Sequence, residues 1–212
     1  MNQAQVQRIL RIDSSARVDD SVSRTLGDAI EQRLLARFPS ADLVRRDLAT
    51  GLPFIDGDWV AANLTPADAR DAAQRDRLTL SDSLIAELAD ADIIVLTAPI
   101  YNFSVPSTLK AWIDLVCRAG LTFRYTTDGP VGLLADRPVY LAMASGGVPF
   151  GSPVDFASTY LTQVFRFVGI TDVRLVGAER VAADIEAAHA GAMQTLEHWL
   201  PSPPTADVAC GA

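Results

Sequence analysis

The stretch "TAPIYNFSVPSTLKAWID" (97–114) sets an amide between two aromatic side chains and closes the group with prolines on both sides. Tyr101 and Phe103 supply π faces, and Asn102 supplies a donor and an acceptor. Pro99 and Pro106 stiffen the loop and lower the entropy lost on ordering it. Such a loop can hold a flat heteroaromatic ring, with the aromatics packed beside it and backbone amides at its edge. The alternative is that Tyr101 and Phe103 simply pack. A second segment, "DSSARVDDSVSRT" (13–25), offers Ser14, Ser15, Ser21 and Ser23 just before a helix. A helix N-terminus attracts an anion through its free amides and its dipole, and hydroxyls add donors. A phosphate monoester fits there, and plain N-capping by Ser21 fits equally. A third segment, "ASGGVPFGSP" (144–153), carries Gly146 and Gly147, which admit a close backbone approach and unusual dihedrals.

Several other chemistries find no support. There is no G-x-G-x-x-G dinucleotide fingerprint, no Walker loop and no G-x-S-x-G nucleophile elbow. His189 and His198 fall in one helix, nine positions apart and so on opposite sides of it, away from the strand ends. Cys117 is followed directly by Arg118 inside a helix, which is not a phosphatase loop, and no zinc spacing occurs.

The elements that must position these loops follow from apolar periodicity. Strands are expected at 6–12, 41–48, 92–98, 137–145 and 171–179. Ile93, Ile94, Val95 and Leu96 form an unbroken run, so that strand is expected to be buried on both faces. Helices are expected at 21–38, where Val22, Leu26, Ile30 and Leu34 repeat, and at 66–89 with a break near Thr79–Ser83. Further helices are expected at 106–118, 152–169 and 182–200. Residues 49–65 read as irregular. Residues 120–134 read as an excursion or small hairpin around Asp128-Gly129-Pro130. Strands alternating with helices imply βαβ units, hence a parallel sheet covered on both faces. The fold class expected is α/β, a flavodoxin-like doubly wound five-stranded sheet in order 2-1-3-4-5. Such sheets bind ligands beyond the strand C-termini, at the switch point between the first and third strands. All three loops above lie there.

The chain has 212 residues, 49% hydrophobic and 21% charged, enough for one substantial core. One domain is expected over 1–200, followed by a mobile proline-rich tail, 201–212. The net charge of −8 gives no electrostatic reason to bind nucleic acid or an anionic membrane. No signal-peptide pattern or spanning segment occurs, and Cys117 and Cys210 do not suggest a disulfide framework. These points favour the cytoplasm.

Longer stretches now carry a resemblance. "APIYNFSVPSTLKAWIDLVCRAGLTFRYTTDGPVGLL" (98–134), "GG" (146–147), "YLTQVFRFVGITDV" (160–173), "RDLA" (46–49) and "DSS" (13–15) together resemble the FMN-dependent NADH-azoreductases, also classed as FMN-dependent NADH:quinone oxidoreductases. The resemblance covers nearly everything except the tail. It implies tightly bound FMN, NADH as electron donor, and quinones and aromatic azo compounds as acceptors. It also implies a homodimer with active sites at the interface. By position, Ser15 and Ser21-Val22-Ser23 would hold the FMN phosphate. Ile100, Tyr101, Asn102 and Phe103 would contact the ring, and Ala144, Ser145, Gly146 and Gly147 would pass beside it. Tyr125 would help wall the acceptor side. Two departures stand out: Ala144 replaces the usual first serine of a Ser-x-Gly-Gly loop, and Ile100 replaces a common methionine. No metal and no protein acid, base or nucleophile is required, because the chemistry belongs to the flavin. NADH would deliver hydride and leave, and the acceptor would then take two electrons in a ping-pong cycle. The alternative function is a non-enzymatic flavodoxin-type FMN electron carrier. Tyr160, Leu161, Val164, Phe165, Phe167 and Val168 spread around one helix, and this surplus apolar surface also argues for a second burial partner.

Overall fold

Six consecutive buried residues, Ile93 to Ala98, form the middle of the sheet in the computed structural model, which describes residues 6–202. This strand pairs in parallel with Arg8–Asp13 on one side and Val139–Ala144 on the other. In chain order the elements are β1 (Arg8–Asp13), α1 (Val22–Arg37), β2 (Asp42–Asp47), α2 (Gly57–Leu64), α3 (Ala72–Asp90), β3 (Ile93–Pro99) and α4 (Ser107–Val116). They continue as β4 (Phe123–Thr126), β5 (Gly129–Gly132), β6 (Val139–Ala144), α5 (Ser158–Val168), β7 (Val173–Ala178) and α6 (Ile185–Trp199). The main sheet runs β2-β1-β3-β6-β7 with every pair parallel. Counting only its own strands, this is the expected order 2-1-3-4-5. β4 and β5 form the separate antiparallel hairpin.

Alternation along β3 divides the core into two layers. Ile94 and Leu96 face α3, α4 and α5, together with Leu10, Ile12 and Leu141. Ile93 and Val95 face α1 and α6, together with Ile9, Tyr140 and Val176. No described helix is long and apolar enough to cross a membrane. The expected tail from 203 onward, with Cys210, lies outside the described residues.

Three expected stretches differ most from those observed. Residues 49–65 are not wholly irregular, because α2 forms there. Asp56 accepts the Trp59 amide at 2.9 Å, and the Trp59 side chain docks in the core. The long helix begins at Ala72, not Pro66, under a capping box made by Asp71 and Gln74. It does not break near Thr79–Ser83: Ser81 interrupts the apolar pattern, but its hydroxyl donates to the Leu115 carbonyl at 2.6 Å, so a polar group is satisfied inside the packing. α5 begins at Ser158, not 152. Asp155 draws the preceding loop together by accepting the Gly151, Ala157 and Ser158 amides.

A buried charge network lies between β1 and α1. Arg11 is nearly inaccessible and donates to Asp13, Asp28 and Glu31. Burial pulls its pKa down, but Asp13 and the other carboxylates more than offset that, and the guanidinium is held above its ordinary value. The α1 backbone comes this close because residue 27 is glycine; a Cβ there would lie 2.4 Å from the Thr97 methyl and 3.3 Å from Arg11.

Candidate functional site

The C-terminal ends of β1, β3, β6 and β7 surround a cleft of about 320 Å³. Ser15, Ser21, Val22 and Ser23 form one wall, Ile100 and Tyr101 a second, and Ala144, Ser145 and Gly146 a third. The sequence reading therefore brought nine residues to one place. Asn102, Phe103, Gly147 and Tyr125 are not among those lining it. Four lining residues were missed: Arg17, Pro99, Val181 and Ala182. The last two follow β7, and the same strand-end rule that singled out the other loops could have found them. The molecule has a larger cavity, about 530 Å³, at the opposite edge near Asp92, Arg137 and Trp199. Its Asp92 is taken up by the Gln7 and Arg8 amides, and Arg137 by carbonyls that end α3.

The serine loop decides between capping and anion binding. Ser14 is not available, because its amide and hydroxyl both donate to the Thr97 carbonyl, at 3.1 and 2.7 Å. Ser15 instead turns its hydroxyl toward the cleft wall, 3.4 Å from the Tyr101 hydroxyl, where it accepts the Arg17 amide at 3.2 Å. Ser21 occupies the N-cap of α1 yet makes no side-chain capping bond. Its hydroxyl lies 3.3 Å from that of Ser23. The Val22, Ser23 and Arg24 amides find no acceptor among the described residues. Three free amides and paired hydroxyls at the positive end of a 16-residue helix make an anion cradle.

The second wall extends the sheet. The Ile100 amide donates to the Ala144 carbonyl at 2.9 Å, so β3 and β6 remain tied beyond their last paired residues. Tyr101 and Ser104 then exchange both backbone bonds, at 3.0 and 3.1 Å, around Asn102 and Phe103. Both central residues have positive φ, 49° and 71°, as in a type I′ turn. Asn accepts this conformation readily. Phe does not, and the strain is on the order of 1–2 kcal/mol. Both side chains are exposed, and neither central amide has an acceptor among the described residues.

At the third wall, the Ser145 hydroxyl accepts the Val148 amide at 2.7 Å, so it braces its own loop. Val181 and Ala182 donate to the Ser145 and Gly146 carbonyls at 3.0 and 3.2 Å, which locks the β7 loop against this one. Gly146 and Gly147 do not use the left-handed freedom that glycine permits, since neither has positive φ. Nor does the chain crowd them. A Cβ at Gly146 would come no nearer than 4.0 Å to Ala182, and one at Gly147 would meet nothing within 4 Å. The space a side chain would take beside Gly146 is cleft, and a flat ring can occupy it.

Tyr125 lies apart, on β4. It is 74% exposed and sets its ring edge against Phe123. The hairpin itself is seated on α5: Phe123 packs on Phe167 at 4.3 Å, and Leu134 donates to the Val168 carbonyl. This corrects the reasoning from surplus apolar surface on α5. Part of that surplus faces this chain's own hairpin.

Cys117 ends α4 half-buried, and burial, followed by Asp114, pushes its thiol up to about 11. Little thiolate exists at neutral pH, so the chemistry does not draw on it. Iodoacetamide at neutral pH should leave Cys117 unmodified in the folded protein and alkylate it after denaturation. Peptide mass mapping checks this, and rapid native labelling of Cys117 would contradict it. Both histidines lie on α6, outside the cleft lining. Among the described residues, no group of three His, Cys, Asp or Glu could hold a metal.

A parallel sheet in this order, with an anion cradle and a ring-sized slot at its switch point, defines the flavodoxin-like class of mononucleotide-binding domains. The chain belongs to the flavodoxin-like fold family, whose model matches residues 7–200. Among its relatives, the FMN-dependent NADH:quinone oxidoreductase 1 of Hahella chejuensis is 49% identical over 191 residues, covering 90% of this chain and 94% of that one. The FMN-dependent NADH:quinone oxidoreductase of Thiobacillus denitrificans is 52% identical over 173 residues, covering 82% and 84%. The crystal structure of an FMN-dependent NADH-azoreductase from Bacillus anthracis in complex with FMN superposes with a TM-score of 0.82 at 26% identity, covering 92% and 97%.

Proposed function

We propose that the protein is an FMN-dependent oxidoreductase that uses NADH to reduce quinones and to cleave azo bonds. The observation that carries this reading is the adjacency, in one cleft, of a phosphate-type cradle and a slot beside Gly146 that the chain leaves open. The named activities of relatives at about half identity point the same way. FMN, when bound, would supply the redox chemistry, a two-electron transfer from NADH to the acceptor.

The chain's own residues bind and orient. Ser15, Ser21 and Ser23 hydroxyls and the Val22–Arg24 amides take the phosphate. Ile100 and Tyr101 wall the ring on one side, and Ala144–Gly147 pass along the other. The free amides of Asn102 and Phe103, in the turn next to the lining residues Ile100 and Tyr101, would donate to the ring edge, where preorganised donors stabilise developing negative charge. The cleft lining of one chain contains no carboxylate and no imidazole. Donor and acceptor would take the same open side of the cleft in turn, which is ping-pong kinetics.

We further propose a homodimer whose partner covers that face. Phe54, Leu64 and Tyr125 are exposed by 75%, 76% and 74%, a poor surface for an isolated chain. Sedimentation at micromolar concentration tests this, and a fully active monomer would exclude it. A cytoplasmic location accords with use of NADH, and cell fractionation tests it.

Initial rates with NADH, a benzoquinone and an azo dye test the activity. Parallel double-reciprocal lines are expected. Absence of turnover by FMN-loaded protein overturns the reading, and intersecting lines overturn the shared face. The turn makes a narrower prediction. Asn102→Ala would confound ligand contact with left-handed strain, so Asn102→Gly is the cleaner substitution. It keeps the turn geometry and removes the side-chain amide. FMN affinity should weaken roughly fivefold, about 1 kcal/mol for one hydrogen bond. Unchanged affinity and unchanged turnover would remove the Asn102 side chain from the site.

A further inference from the structure

Arg24 sits on the first turn of α1, where the helix dipole disfavours a cation. Helix stability does not ask for it there. Its side chain is only 11% exposed and is held at several points. Nη2 donates to the Ser15 carbonyl at 2.9 Å and to Asp47 at 2.7 Å, and Nη1 donates to Asp47 at 2.8 Å. Its main-chain carbonyl accepts from Arg11 at 3.3 Å, and Asp13 lies 3.9 Å from Nη1. Its Nε is buried without a partner among the described residues. Arg24 does not line the cleft, so it acts through Ser15.

The consequence for Ser15 is specific. Ser14 is fixed to β3 through the Thr97 carbonyl. One residue later, the Ser15 carbonyl is held on the Arg24 side while its hydroxyl faces the cleft. Asp47, at the end of β2, fixes the guanidinium in turn. That carboxylate also accepts the Ala49 amide at 2.9 Å, so it is itself anchored. The hydrogen bond from Arg24 is the main reason the Asp47 carboxyl titrates below its ordinary range, so the pair stays charged near neutrality.

We infer that Arg24, held by Asp47, is a positioning and specificity residue: through its hydrogen bond to the Ser15 carbonyl it sets the Ser15 hydroxyl for the ligand's phosphate. This rests on the FMN reading of the cleft and deepens it. The role is to discriminate a phosphorylated flavin from an unphosphorylated one. A pair that only stabilised the fold would affect both ligands alike.

The test is the ratio of FMN to riboflavin affinity, measured by fluorescence quenching on full-length apoprotein. Arg24→Met should weaken FMN about tenfold or more, the effect of losing one charge-assisted arrangement, and leave riboflavin within about twofold. Arg24→Lys, which keeps the charge but cannot bridge Ser15 and Asp47 in the same way, should recover part of the ratio. Asp47→Ala should lower the ratio in the same direction. If Arg24→Met fails to fold, the other two variants decide. Equal loss of both ligands, or an unchanged ratio, overturns the inference. Wild-type apoprotein that binds riboflavin as tightly as FMN removes the phosphate cradle itself, and the role of Arg24 with it.

Discussion

Gly146→Val should leave the apoprotein's melting temperature essentially unchanged and weaken its FMN affinity by about five- to a hundred-and-fiftyfold. Both halves follow from the same observation. The backbone at Gly146 is not left-handed, so an L side chain fits its dihedrals without strain. The nearest atom to a Cβ is Ala182 Cβ at 4.0 Å, which is ordinary contact. The Cβ therefore meets the chain only at ordinary contact distance, and the branch beyond it extends from a residue that lines the cleft. Overfilling a site shaped for another group costs about 1–3 kcal/mol, which sets the range above. Gly146→Ala should show a smaller loss, because one methyl fills less of the slot. Flavin titration and a thermal melt on the same preparation check both halves. Undiminished affinity in the valine variant would mean that the ring does not lie along this loop.

Gly132→Ala should do the reverse, acting on the fold through a contact remote from the cleft. A Cβ at Gly132 would stand 2.1 Å from the Gly169 nitrogen and 2.4 Å from both the Gly169 Cα and the Val168 carbonyl carbon. These are backbone atoms, and no rotamer change can move them aside. Gly169 cannot yield either, because its φ of 109° is required by the turn that ends α5, and its own missing Cβ faces the Leu134 carbonyl at 2.5 Å. One methyl thus forces the β4–β5 hairpin off the helix that seats it. We expect a loss of about 3 kcal/mol, or roughly 6–12 °C in a domain of this size. Trypsin should then cut readily at Arg124, which the seated hairpin protects. A melting temperature and a protease pattern matching wild type would show that the contact is not rigid.

Much of this architecture was legible because it rests on local rules. Four consecutive branched and leucine residues at 93–96 can only be a strand covered on both faces. Strands that alternate with helices leave few topologies, and the strand-end rule then singled out the loops of the cleft. What was not legible depends on partners far away in sequence. α2 is short and weakly patterned, and it holds because Trp59 finds a place in a core assembled by other helices. Ser81 looks like a break until the Leu115 carbonyl is placed against it. Arg11 is a charged residue within a strand, yet its side chain is only 5% exposed, because three carboxylates from two elements converge on it. In the site, residue type identified Ser15, Ser21 and Ser23 but could not say that Ser14 is consumed by β3. Nor could it say that Ser145 braces its own loop. Those assignments turn on the direction of a hydroxyl, which neighbours decide.

The ties that lock the loops to one another also set an order of events. Ser14 reaches across 83 positions to Thr97, Ile100 holds Ala144, and Val181 holds Ser145. Every pairing in the main sheet is parallel and closes through a crossover, so contacts between strands are non-local and form slowly. The cleft draws on the first strand and the last, and it exists only after the whole sheet has closed. A ligand that needs all of its walls therefore has no affinity for partly folded chains. Its free concentration draws the population toward the completed sheet by mass action.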